Sequence, residues 1–181
     1  RARAPAVLVL GDSLSAEYGL RRGTGWVALL ELKLATEGIA ARVVNASISG
    51  DTTSGGRSRL PALLKQHRPA IVVVELGGND ALRGLPLEMT QRNLEAMAQA
   101  ARESGARVLL VGMQMPPNYG ADYAKRFATL FEQVAKAQQA ALVPFLLTGV
   151  ADAPDPLHWL QPDRIHPNER AQRRILENVW P

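Results

Sequence analysis

Five short, nearly uninterrupted apolar runs constrain this chain most: residues 6–10, 42–46, 71–76, 107–111 and 141–145. A half-exposed strand alternates apolar and polar residues. A continuous run of this length instead suits a strand buried on both faces, as in a parallel sheet. Helical periodicity fills the gaps. Val27, Leu30 and Leu34 fall at i, i+3 and i+7. Leu94, Met97, Ala98 and Ala101 follow i, i+3, i+4, i+7, and Phe127, Leu130, Phe131 and Val134 repeat it. A last helix opens near Pro167-Asn168-Glu169 and carries Ile175 and Val179, with proline and an early acid as start signals. Parallel strands need long crossovers, and helices of this length supply right-handed ones. The fold class predicted is α/β: a doubly wound, three-layer α/β/α sandwich of about five parallel strands. With no repeat, linker or low-complexity tract, residues 1–181 read as a single domain.

Composition narrows the function classes. There is no run of ~18 apolar residues, so no stable membrane insertion is expected. Cysteine is absent, which leaves no disulfide or thiolate metal site and suits cytoplasm or periplasm equally. The net charge of +4 is spread over Arg21-Arg22, Lys65 with Arg68, and Arg170, Arg173 and Arg174, read here as solvated faces. Nucleic-acid binding wants a clustered stripe, so none is expected. The chain starts at Arg1 without an apolar leader.

Open α/β sheets bind ligands beyond the carboxyl ends of their strands. Here those ends read Gly11-Asp12-Ser13, then 45–50 (NASISG), Gly77-Gly78-Asn79-Asp80, and 112–116 (GMQMP), all rich in small and polar residues. Ser13 is either the cap of the polar, helix-like stretch after it or a nucleophile. A nucleophile needs a base, and the chain has three histidines. His67, in KQHRP, suits a cation at a helix C-terminus. His158 and His166 each follow an aspartate by three residues, Asp155 and Asp163, a spacing that brings carboxylate and imidazole to one side of a turn. Spacing does not choose between them. His166 lies in a polar loop before the last helix, whereas His158, flanked by Leu157, Trp159 and Leu160, looks like a packed or pocket-wall residue. Acyl transfer also needs oxyanion donors. Ser13 N–H at a helix start, Gly50 N–H and the Asn79 amide are available, against the plainer readings of turn glycines and an Asx turn.

These blocks resemble the SGNH (GDSL) hydrolase superfamily, in particular its bacterial thioesterase I, lysophospholipase and arylesterase group. The resemblance rests on residues 10–16 (LGDSLSA), 45–53 (NASISGDTT), 75–80 (ELGGND) and 163–168 (DRIHPN), four blocks in order across nearly the whole chain. It implies a flavodoxin-like SGNH fold; Ser13 as nucleophile, His166 as base and then acid, and Asp163 orienting it; and Ser13, Gly50 and Asn79 as the oxyanion hole. It thereby selects the second Asp–His pair. Many members carry glycine where Arg164 stands, which bears on pH profile and charged substrates rather than on the triad.

The resemblance implies no metal or cofactor and a range of acyl esters, aryl esters, acyl-CoA thioesters and lysophospholipids. It also implies a periplasmic or secreted home after cleavage of a leader, and the enzyme is expected as a monomer. An acyl groove is expected from Leu82, Leu85, Met113, Met115, Pro116, Tyr119 and Leu157, beside the strand ends. The alternatives are a carbohydrate-ester deacetylase with the same triad, a metal-dependent phosphoesterase using Asp12, Asn79, Asp80, Asp163 and His166, and a non-catalytic flavodoxin-like binding module. Two usable histidines are few for a two-metal site, and the glycine spacing of a phosphate loop is missing.

Overall fold

All five apolar runs become strands. The computed structural model describes residues 5–115, 119–153, 155–163 and 165–180, and within them β1 (Ala6–Gly11), β2 (Arg42–Asn45), β3 (Ile71–Glu75), β4 (Arg107–Val111) and β5 (Ala141–Val143) form one sheet. Every pair is parallel, in the order β2-β1-β3-β4-β5. Val7 lies beside Val43 on one side and Ile71 on the other. From β1 the chain steps outward to β2. From β3 onward it builds toward the opposite edge. The topological switch therefore falls between β1 and β3, and the crevice it opens lies at their carboxyl ends.

Residues along a strand alternate between faces. Leu8, Leu10, Val72, Val74, Val108 and Leu110 pack against α2 (Thr53–His67), α4 (Leu87–Glu103) and α5 (Ala121–Ala137), which contribute Leu60, Leu94, Met97, Phe127 and Phe131. Val7, Val9, Val73 and Val111 pack against α1 (Trp26–Thr36) and α6 (Glu169–Val179), through Trp26, Leu30 and Ile175. Both faces are covered, which is why the runs read as continuous. Trp26 and Phe127 are fully buried, and truncating either to alanine costs about 3–5 kcal/mol.

Three local departures from the sequence reading have physical causes. The stretch after Ser13 is a chain of turns rather than a helix. Asp12 starts one turn as a cap would, its side chain accepting Leu14 N–H at 3.0 Å and its carbonyl Ala16 N–H at 2.9 Å, and the left-handed backbone of Glu17 and Gly19 (φ 62° and 71°) keeps that turn from continuing. β5 stops at Val143 because Pro144 has no N–H to give to the ladder; pairing resumes when Leu146 N–H reaches Gly112 O at 3.0 Å. A short helix, α3 (Gly78–Leu82), comes after β3 where only a loop was expected.

Candidate active site

The loops after β1, β2 and β3 and the segment before α6 converge at the switch crevice. Ser13 follows the buried Asp12 at the end of β1 and is itself half-buried. It caps no helix. Its hydroxyl lies 3.1 Å from His166 Nε2, and His166 Nδ1 lies 2.6 Å from Asp163 Oδ2. The imidazole thus spans the two, and a proton on Nδ1 leaves Nε2 to accept from Ser13 Oγ. The other carboxylate oxygen, Asp163 Oδ1, accepts the backbone N–H groups of Ile165 and His166 at 2.9 and 3.0 Å. Those two donors, then the imidazole, lower the Asp163 carboxyl from 3.8 to about 2.

The segment holding this pair is closed at its neck. Gln161 N–H donates to His166 O at 2.7 Å and Asn168 N–H to Trp159 O at 2.9 Å, with Leu160 and Pro167 forming an antiparallel bridge. Asn168 caps α6 by accepting Ala171 N–H at 3.2 Å, while its amide donates to His158 O at 2.8 Å. Arg174, read from sequence as solvated, instead lies over the Trp159 ring at 4.2 Å and donates to Gly149 O. The Tyr18 ring stacks on His166 with centroids 4.2 Å apart. The Gln161 amide holds Tyr18 O at 2.8 Å.

The other two histidines stand apart from this arrangement. His158 is exposed and packs edge-on against Trp159 at 4.9 Å; its bond to Asp155 is a backbone one, N–H to O at 3.0 Å. His67 ends α2, just before β3 begins, and so lies at the opposite end of the sheet from Ser13.

Gly50, in the loop after β2, and Asn79, on α3, stand on segments that are tied together. The Asn79 amide donates to Asp51 O at 2.9 Å, and Arg83 donates to Gly50 O at 3.2 Å. Gly50 takes φ 81° in open space, a conformation that favours glycine. Among the described residues, no hydrogen bond occupies the N–H of Ser13 or Gly50. Beneath them the buried Asp80 carboxylate accepts Thr53 N–H, Thr53 Oγ1–H and Thr90 Oγ1–H, pinning α3 to the start of α2 and to α4.

The residues expected to form an acyl groove separate into two kinds. Leu82, Tyr119 and Leu157 are exposed, at 51%, 44% and 62%. Leu85 is half-buried, and its carbonyl accepts from Tyr123 Oη at 3.2 Å. Met113 and Met115 are half-buried and packed on the core. Pro116 and Arg164 lie outside the described residues. The sequence reading did not find Glu75. It ends the run IVVVE on β3, fully buried beside Asp12, and accepts from Ser15 Oγ at 2.7 Å and Asp12 N at 3.3 Å. A carboxylate closing a valine run was the available signal. Tyr18 and Gln161 gave none, because their role comes only from the folded neck.

Comparison with known proteins supplies the remaining observation. The sequence profile of the GDSL-like Lipase/Acylhydrolase family matches residues 9–174. The chain belongs to that family. This hydrolase is 55% identical to the esterase TesA of Pseudomonas aeruginosa over 181 residues, covering all of this chain and 89% of that one. It is 44% identical over 176 residues to thioesterase 1/protease 1/lysophospholipase L1 of Escherichia coli, covering 97% and 82%. A crystal structure of TesA superposes with a TM-score of 0.93 over 97% of this chain and 96% of that one. The hydrolase is an ester-cleaving enzyme with the three-layer parallel fold of its relatives.

Proposed function

We propose that this hydrolase is a serine esterase that works through an acyl-enzyme on Ser13. The observation that best supports this is the unbroken line from Ser13 Oγ to His166 Nε2 and from His166 Nδ1 to Asp163 Oδ2, at 3.1 and 2.6 Å. His166 takes the Ser13 proton as Oγ attacks the acyl carbonyl, then returns it to the departing alcohol or thiol. Water then attacks the acyl carbon as His166 takes its proton, the bond from Ser13 Oγ to the acyl carbon breaks, and His166 passes the proton to Oγ as the acid leaves. Asp163, ionised above about pH 2, holds the Nδ1–H tautomer and offsets the imidazolium charge. Ser13 N–H, Gly50 N–H and the Asn79 amide face the developing oxyanion.

Aryl and aliphatic esters, acyl-CoA thioesters and lysophospholipids are the substrate range; thioesterase and lysophospholipase stand in the Escherichia coli relative's name, and arylesterase is that of a Vibrio mimicus relative. Of the side chains assigned to the acyl groove, Leu82, Leu85, Met113, Met115, Tyr119 and Leu157 contact the acyl chain. The enzyme acts as one domain and as a monomer, in the periplasm or outside the cell. Among the described residues no helix is long and apolar enough to cross a membrane.

Hydrolysis of a p-nitrophenyl ester chain-length series by wild type, Ser13→Ala, His166→Ala and His158→Ala, with and without chelator, tests the reading. The first two variants lose on the order of 10⁴–10⁶ in kcat and His158→Ala stays active. Full activity in Ser13→Ala, or abolition by chelator, rejects the serine mechanism.

A further inference from the structure

Asp12 and Glu75 are both buried, 3% and 0% exposed, directly behind the Ser13 turn. Glu75 Oε1 already accepts two donors, Ser15 Oγ–H and Asp12 N–H. Its second oxygen, Oε2, is fully buried and meets no donor. Among the described residues, the buried acid beside this carboxyl is Asp12, whose own N–H reaches Glu75 Oε1 at 3.3 Å and whose side chain lies close enough to act on it. Two adjacent carboxylates cannot both ionise in such a place without a large penalty. The pair is closely fitted: a Cβ on Gly11 would sit 2.8 Å from both Glu75 Oε1 and Ser15 Oγ, so only glycine lets β1 pass this near.

We propose that Glu75 is a positioning residue that works as an undissociated acid, donating through Oε2 to the Asp12 carboxylate while Oε1 holds Asp12 N–H and Ser15 Oγ–H. Asp12, kept as the anion, accepts Leu14 N–H at 3.0 Å. The turn carrying Ser13 is thereby fixed on both sides of the nucleophile. The proposal rests on the Ser13 reading above. Burial and the neighbouring Asp12 push the Glu75 carboxyl well up. Burial raises the Asp12 carboxyl as well, while Glu75, the Leu14 N–H and His166 favour its charge, the last from the segment before α6. The other buried acid nearby, Asp80 on α3, is turned to Thr53 and Thr90.

The test combines infrared spectroscopy with kinetics. At pH 7, wild type minus Glu75→Gln shows a protonated-carboxyl C=O band that shifts in D₂O. Glu75→Gln, whose amide accepts and donates at the same two places, keeps kcat within roughly fivefold of wild type. Glu75→Ala frees the turn and lowers kcat on the order of 10²-fold with KM nearly unchanged. The proposal is overturned if the band is absent, if it survives in Glu75→Gln and disappears only in Asp12→Asn, or if Glu75→Gln falls as far as Glu75→Ala. The infrared arm needs no turnover. A missing band with Ser13→Ala inactive sinks this proposal alone, whereas an active Ser13→Ala sinks the esterase reading whatever the band shows.

Discussion

Asp163 sits in an exposed loop and is held ionised, while Glu75 ends a buried strand and is pushed toward its neutral form. Both bear on the same Ser13–His166 pair. Each accepts two hydrogen bonds on one oxygen, so the number of donors does not separate them. The second oxygen does. Asp163 Oδ2 meets an imidazole N–H 2.6 Å away. Glu75 Oε2 is fully buried and meets no donor, and the nearby acid is Asp12. Solvent around Asp163 also keeps its desolvation small against its backbone donors, whereas for Glu75 desolvation is the largest influence. On the proposed reading, Asp163 keeps a fixed charge facing the base, and Glu75 stays neutral where a second charge would repel Asp12 behind the Ser13 turn.

The comparison breaks most easily at Asp163. Asp163→Asn removes the acceptor that selects the Nδ1–H tautomer, and the amide N–H can turn the ring to the wrong one. The expected loss is on the order of 10³–10⁴ in kcat, the size seen in Ser-His-Asp hydrolases, with KM little changed. A loss under tenfold on a p-nitrophenyl ester means the charge is not what orients His166. Asn79→Ala tests the opposite wall of the crevice, with an expected loss of ~10²–10³ in kcat.

The two carboxyls also give opposite pH dependences of stability. The folded Asp163 carboxyl is depressed, so its contribution is complete above 3.8 and is lost as pH falls toward about 2. The folded Glu75 carboxyl is raised, so its contribution is complete below 4.5 and declines as pH rises from there toward its folded value. Urea unfolding of wild type and Glu75→Gln across pH 4–8 reads the difference. The wild type loses stability relative to the variant as pH rises, and parallel curves would show that Glu75 titrates normally.

Much of this was legible in the sequence, for reasons that differ by residue. The strands were readable because a doubly covered sheet leaves Leu8 and Val9 equally buried on opposite faces. Ser13, Gly50, Asn79, Asp163 and His166 stood out because chemistry and backbone demands are local to their short motifs. The stretch after Ser13 misled, since Asp12 starts a turn as a helix cap would, and the left-handed Glu17 and Gly19 end it before a helix can form. Glu75 and Ser15 lie 60 residues apart, and no local pattern announces a pair made only when β1 and β3 come side by side. The exposed and core-packed residues of the expected acyl groove look alike in sequence, because an apolar loop residue reads the same in either setting.

Tyr18 is the direct link between the two regions. It belongs to the turn that Asp12 begins, yet its ring lies on His166 of the exposed segment, centroids 4.2 Å apart and tilted by 36°. Its carbonyl is held by Gln161, whose own N–H holds His166 O, so turn and segment register through one glutamine. Gly19, at φ 71°, leaves no room for a Cβ beside that amide. An aromatic contact of this kind is worth about 0.5–1.5 kcal/mol, or about 2- to 12-fold in rate if all of it serves to orient the base. Tyr18→Leu should lower kcat within that range, while Tyr18→Phe, which keeps the ring, stays at wild type. Equal losses in both variants would shift the role to the hydroxyl. No loss in either would mean that the hydrogen-bonded neck alone holds His166, and that the buried and exposed halves of the site communicate only through Ser13.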